Sequence, residues 1–144
     1  KYTDLFRPPW NWHSITFKST VGTYGYLDIW SPNWYYRAIK WFYLAFSIFL
    51  AVSILMSGGK KEAILLFFTG LFALIMVLIS FYHSWVDDFQ AQGRYLFPAY
   101  GMLAILINRN KSILHGGILA FFGFALFCLS SFSFLFSGIN FIQK

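Results

Sequence analysis

Four apolar runs, separated by short polar punctuations, follow an aromatic and irregular first quarter of the chain. From Arg37 to Met56 the residues are almost uniformly apolar, with Lys40 near the entrance where its stem could carry the ammonium outward. Ser57-Gly58-Gly59-Lys60-Lys61 ends this run, the glycines suiting a helix C-terminus. A second run, Ala63 to Trp85, stays apolar until Ser80, Tyr82, His83 and Ser84. Each is long enough, at ~1.5 Å per residue, to cross ~30 Å of hydrocarbon.

The third run is ambiguous. Tyr95 to Ile107 is too short to cross alone, and a helix begun near Phe89 would carry Arg94 more than a turn inside. Pro98 fits a first helical turn and would kink a helix already under way. Either a short helix begins at Arg94, or a full span buries an arginine. Asn108-Arg109-Asn110-Lys111-Ser112 closes the run, and the fourth extends from Ile113 to about Phe136. Gly116, Gly117 and Gly123 in this last run predict close approach of another helix. The pattern therefore predicts an all-α integral membrane bundle of about four helices, near 37–57, 63–86, 89–107 and 113–136, the third short or kinked.

Residues 1–36 contain no uninterrupted apolar run of spanning length, and Pro8-Pro9, Gly22, Gly25 and Pro32 break them up. Trp10, Trp12, Trp30 and Trp34 suit the headgroup zone, so this stretch is read as external or interfacial, with one short helix near 10–20. Lys60-Lys61 and Arg109/Lys111 belong to alternate connections and so share a side, expected to be the cytoplasm. Residues 1–36, the 86–94 loop and the C-terminus then lie outside. Lys1, Arg7, Lys18 and Arg37 weaken that bias. Asn110-Lys111-Ser112 has the form of a glycosylation acceptor but falls on the inner side in this topology.

Composition agrees with the pattern. The 144 residues are 58% hydrophobic and 11% charged, with a mean hydropathy of +0.59, far from the roughly one-quarter charged composition of soluble domains. The net charge of +6 is not gathered in one solvated patch, so nucleic acid is not an expected partner. Membrane lipids are. Cys128 is the only cysteine, which rules out an intrachain disulfide and a thiolate metal cluster. The absence of an initiator Met or a leader at Lys1 suggests the C-terminal piece of a longer polytopic protein.

The candidate chemistry sits between the second and third runs. On a helix, Asp87, Gln90 and Arg94 would share a face, with His83 one turn before Asp87. A guanidinium at the membrane surface can grip a phosphate or pyrophosphate bidentately. A neighbouring carboxylate could hold a divalent metal or act as a base. Alternatively, Arg94 pairs with Asp87 or Asp88 and clamps the loop. His83 and Asp87 are too few for a metal site, so no metal ligand is assigned, and His13 and His115 carry no signal of their own. The glycine pair in Ser19-Thr20-Val21-Gly22-Thr23-Tyr24-Gly25-Tyr26-Leu27-Asp28 reads as an ordered turn rather than a phosphate cradle.

Two stretches carry a resemblance. Gln92-Gly93-Arg94-Tyr95-Leu96-Phe97-Pro98 resembles the QGRYLxP signature of a bacterial family of polytopic membrane proteins of unknown function. Ser19 to Pro32 is similar to that family's external loop, S-F-x-G-x-F-G-W-x-D-x-x-x-P. The similarity spans about residues 15–107, at the family's C-terminal end. The family is regarded as related to the GT-C membrane glycosyltransferases, which use polyprenyl-phosphate-linked sugars at the outer membrane face. The resemblance thus implies a lipid-phosphate site including Arg94, with Gln92, Gln90, Asp87 and Asp28 in supporting positions, and a catalytic aspartate upstream of the matched residues. A non-catalytic subunit packed against membrane protein partners is the alternative; a transporter fits less well, the spans lacking internal polar residues.

Overall fold

A computed structural model describes the chain except residues 1, 9–10, 25–28, 89–92 and 140–144; for residues 2, 3, 87 and 88 it describes the backbone alone. A 3-10 turn at Tyr2–Phe6 precedes helix α1, Trp12–Val21. Strands β1 (Thr23–Tyr24) and β2 (Ile29–Trp30) form a minimal antiparallel ladder, Thr23 opposite Trp30 and Tyr24 opposite Ile29. Then come α2 (Asn33–Ser57), α3 (Lys60–His83), a π-helical turn at Ser84–Asp88 and a 3-10 turn at Gly93–Leu96. Helices α4 (Phe97–Arg109) and α5 (Gly116–Ser133) follow, with a π-helical extension at Phe134–Ile139. The fold is all-α apart from the two-residue ladder.

Three of these helices are long and apolar enough to cross a membrane: Asn33–Ser57, Lys60–Val86 and Gly116–Ile139. The third apolar run departs from the expected 89–107 span. Its α-helix has 13 residues, ~20 Å at 1.5 Å per residue, short of ~30 Å of hydrocarbon. It starts at Phe97 because Pro98, lacking an N–H, occupies the first turn where no intrahelical donor is needed. Arg94 therefore precedes the α-helix in the 3-10 turn and is exposed, not buried in a span.

The α2–α3 connection shows why the sequence turns where it does. Gly58 donates its N–H to the Ile54 carbonyl at 2.8 Å, and a Cβ at Gly58 would overlap that same carbonyl. Its backbone is extended, so glycine is required here by space and not by a left-handed conformation. Glu62 accepts the Gly59 N–H at 2.9 Å, which starts α3 at Lys60, three residues ahead of the apolar run. Asn110 is buried and donates its side-chain amide to the Leu106 carbonyl at 2.8 Å, a structural placement at odds with a glycosylation acceptor. Its carbonyl takes the N–H groups of Ile113 and Leu114, so that turn delays α5 to Gly116.

Helix α2 is the hub. Phe46, Leu50 and Ile54, at helical spacing, pack with Leu106 of α4 and Leu114. Phe42 and Phe46 meet Phe122 of α5 with ring centroids 4.8 and 4.9 Å apart. Nearer its N-terminus, Tyr35, Tyr36 and Ile39 pack with Phe17 and Val21 of α1 and Leu126 and Leu129 of α5. The glycines of α5 behave differently from expectation: a Cβ at Gly116 or Gly123 would meet open space, and one at Gly117 only the His115 ring. No close helix approach occurs at them within the described residues.

Hydrogen bonds lock the α1–α2–α5 junction. The Tyr36 hydroxyl accepts the Ser31 N–H at 2.9 Å and donates to the Gly22 carbonyl at 2.8 Å. Tyr35 donates to the Val21 carbonyl at 2.6 Å, and Ser133 joins Ser31 and Tyr24 at 2.5 and 2.8 Å. Tyr36→Phe keeps the ring, strands the Ser31 N–H and leaves the Gly22 carbonyl only the 3.2 Å bond from the Ser31 hydroxyl, so it is expected to destabilise the fold by about 1–2 kcal/mol. Thermal unfolding in detergent checks this; an unchanged midpoint would show that water replaces the hydroxyl without loss.

Candidate functional site

Of the sequence-predicted residues, the structure places Arg94 and the backbone of Asp87, both just beyond the C-terminal end of α3. Asp28, Gln90 and Gln92 lie outside the described residues. Asp87 belongs by its backbone to the π-helical turn that continues α3, and its side chain is likewise outside them, as is that of Asp88. The expected pairing of Arg94 with either aspartate therefore also lies outside. Arg94 itself is described, and its surroundings explain how it is presented.

Gly93, immediately before it, is buried against α1. Its N–H donates to the Ser19 hydroxyl at 2.7 Å, and that hydroxyl donates onward to the Thr16 carbonyl at 3.0 Å. The Thr20 hydroxyl, which donates to the Thr16 carbonyl at 2.8 Å, lies 3.4 Å from the Gly93 carbonyl. A Cβ at Gly93 would overlap the backbone nitrogen and the hydroxyl of Thr20 and sit 2.5 Å from its Cα. Only glycine lets two backbones approach this closely. Ser19 and Thr20 are thus in direct contact with Gly93, 74 and 73 residues further along the chain.

Tyr95, immediately after Arg94, is held from the other side. Its ring stacks on His83 of α3 with centroids 5.4 Å apart and planes 10° from parallel. The arginine between these two anchored neighbours points outward, its guanidinium carbon 5.5 Å from the Tyr95 ring centroid, within cation–π range. The His83 ring is thus a platform for the 3-10 turn.

Helix α1 is braced against the same end of α3. Trp12 donates its indole N–H to the Ser84 hydroxyl at 2.9 Å in a buried position, and Ser84 donates to the Ser80 carbonyl at 2.9 Å. Phe81 meets the Trp12 ring edge-on at 5.3 Å. The bond falls where α3 widens into a π-helical turn, a geometry frequent at functional sites. Sequence reasoning missed Ser19, Thr20 and Trp12 as positioning residues. Among the described residues no group of three or more His, Cys, Asp or Glu side chains could hold a metal ion.

The Gly93–α1 contact makes a clear demand on the sequence. Gly93→Ala should cost about 2–4 kcal/mol, because backbone atoms must separate and a buried N–H loses its partner. Ser19→Ala should cost about 1–2 kcal/mol through the N–H alone. Denaturant unfolding in micelles orders the two variants; equal, negligible losses would mean that α1 and the 3-10 turn are not docked.

The chain matches no protein-family model, no curated protein and no solved structure.

Proposed function

We propose that this chain is an integral membrane segment of a glycosyltransferase-like protein that handles a polyprenyl-phosphate-linked sugar in cell-envelope glycan assembly. The observation that carries the reading is the outward presentation of Arg94 between two fixed neighbours, Gly93 on α1 and Tyr95 on His83. A fixed backbone lets Arg94 bind without rearranging the chain around it, and its planar fork matches two phosphate oxygens.

The setting supports a lipid-borne ligand. Exposed Phe67, Phe68, Leu71, Leu74 and Leu78 of α3 make a surface suited to hydrocarbon. Arg94 follows the C-terminal end of α3, at the opposite end of the helix from Lys60-Lys61. With the basic Lys60-Lys61 and Arg109/Lys111 connections on the cytoplasmic side, Arg94 faces outward, at the depth of lipid phosphates. In this reading Arg94 binds and orients the phosphate of the donor, Gln90, Gln92, Asp87 and Asp28 are supporting candidates, and a divalent metal could share the phosphate. The catalytic base belongs to a region outside the matched residues.

A second reading, a non-catalytic subunit in a larger membrane assembly, draws on α5. Gly116 and Gly123, seven residues apart on one face, both open onto unoccupied space, as a partner helix would require.

Arg94→Lys separates the two. It keeps the charge and loses the fork, so transfer from a polyprenyl-phosphate-linked sugar in proteoliposomes should fall at least about tenfold. Undiminished transfer in that variant would reject a phosphate role for Arg94.

A further inference from the structure

On the side of α1 turned away from Gly93, an open cleft of about 590 Å³ separates α1 from the first two turns of α2. Lys18, Arg37 and Lys40 line it, with His13, Ser14 and Asn33 adding further polar groups. No carboxylate is among its described lining residues. The two helices supply these groups by simple periodicity. Ser14 and Lys18 are one turn apart on α1, and Asn33, Arg37 and Lys40 follow i, i+4, i+7 on α2. Thr16, Ser19 and Thr20, which hold the Gly93 turn, fall on the other side of α1 at ~100° per residue. The cleft is therefore distinct from the Arg94 surface.

Lys18 is directed into position. Its ammonium lies 5.2 Å from the centre of the Tyr36 ring and 5.7 Å from that of Trp30. The Tyr36 ring is itself fixed by the bonds of its hydroxyl to Ser31 and Gly22. Arg37 and Lys40, three residues apart, repel one another, and the first turn of α2 carries no acidic residue to offset them. Three cations gathered this way are unfavourable until an anion shares them.

The depth and the surface below the cleft decide what kind of anion. Helix α2 has 25 residues, ~37 Å at 1.5 Å per residue, longer than ~30 Å of hydrocarbon, so its first turns reach the headgroup layer. Directly below Arg37 on the same face, Trp41, Leu44 and Ile48 are exposed at i+4, i+7 and i+11. A free phosphate would use only the cleft; a lipid would use the cleft and the stripe together.

The geometry points to a binding site for an anionic phospholipid, its phosphate among Lys18, Arg37 and Lys40 and an acyl chain along Trp41, Leu44 and Ile48. The bound lipid ties α1 to α2 at the membrane surface. This inference stands without the transferase reading, since it uses none of the Arg94 residues.

The test is lipid retention by native mass spectrometry after release from phosphatidylcholine nanodiscs doped with phosphatidylglycerol. The wild-type chain should retain phosphatidylglycerol over phosphatidylcholine. Lys40→Gln should lower that retention about fivefold, and the triple change Lys18→Gln, Arg37→Gln, Lys40→Gln at least about tenfold. Lys60→Gln with Lys61→Gln, at the opposite end, should leave it unchanged. Trp41→Ser with Leu44→Ser should weaken retention of the phospholipid and leave any binding of inorganic phosphate intact. Retention that survives the triple change overturns the proposal. So does inorganic phosphate displacing the lipid at millimolar concentration, which would assign the cleft to a free anion. Preferential displacement by a polyprenyl phosphate at equal mole fraction also overturns it, by making the cleft a donor site.

Discussion

The close approach of the Gly93 backbone to Thr20 governs how this chain presents its polar groups. At that contact the N–H of Gly93 is taken by Ser19, and there is no room for a side chain. With the 3-10 turn fixed there, α4 begins at Phe97, and Arg94 stands exposed ahead of it. The same short helix that receives Gly93 is fastened to α3 by Trp12 and Ser84. One helix of ten residues thus sets the relative positions of the ends of α3 and α4.

Such a brace is useful where the rest of the packing is apolar and weakly directional. Between helices in lipid there is little hydrophobic driving force, and specific polar contacts and ring packing carry the geometry. Here the directional contacts gather at one end: Tyr35, Tyr36, Ser31, Tyr24 and Ser133 join α2 and α5 to the end of α1 and to the residues of the β1–β2 ladder and its flanks. Toward the other end the contacts are Phe46, Leu50, Ile54, Leu106 and Leu114. The specific end is also the one that bears Arg94 and the Lys18–Arg37–Lys40 cleft. Both of these cationic surfaces thus sit beside directional contacts, the arrangement that lets a charged headgroup be met without reorganisation.

The two cationic surfaces share α1 as a common wall. Its Thr16, Ser19 and Thr20 side faces the Gly93 turn, while its Ser14 and Lys18 side faces α2. A lipid held in the cleft would steady α1 and, through it, the turn that carries Arg94. The presentation of Arg94 on one face would then depend on what the cleft on the other face holds, through packing alone.

Sequence by itself determined a good deal. The lengths and uniform apolarity of Asn33–Ser57 and Lys60–Val86 made both readable as long helices, and Gly58-Gly59 marked their junction. The short helix near residues 10–20 was legible in the same way, from local signals. Such features depend on neighbours within a few residues, which is why periodicity and punctuation reveal them. The Gly93 docking, the His83–Tyr95 stack and the Trp12–Ser84 bond join residues far apart in the chain, and no local pattern encodes them. Arg94 could be suspected from its cost in a bilayer, but not which way it faces: a full span and a short helix fit the same letters. Tertiary structure decided it: Gly93 is docked on α1 in a 3-10 turn that holds Arg94 ahead of α4, and Pro98 falls in the first turn of α4, where its missing N–H costs nothing.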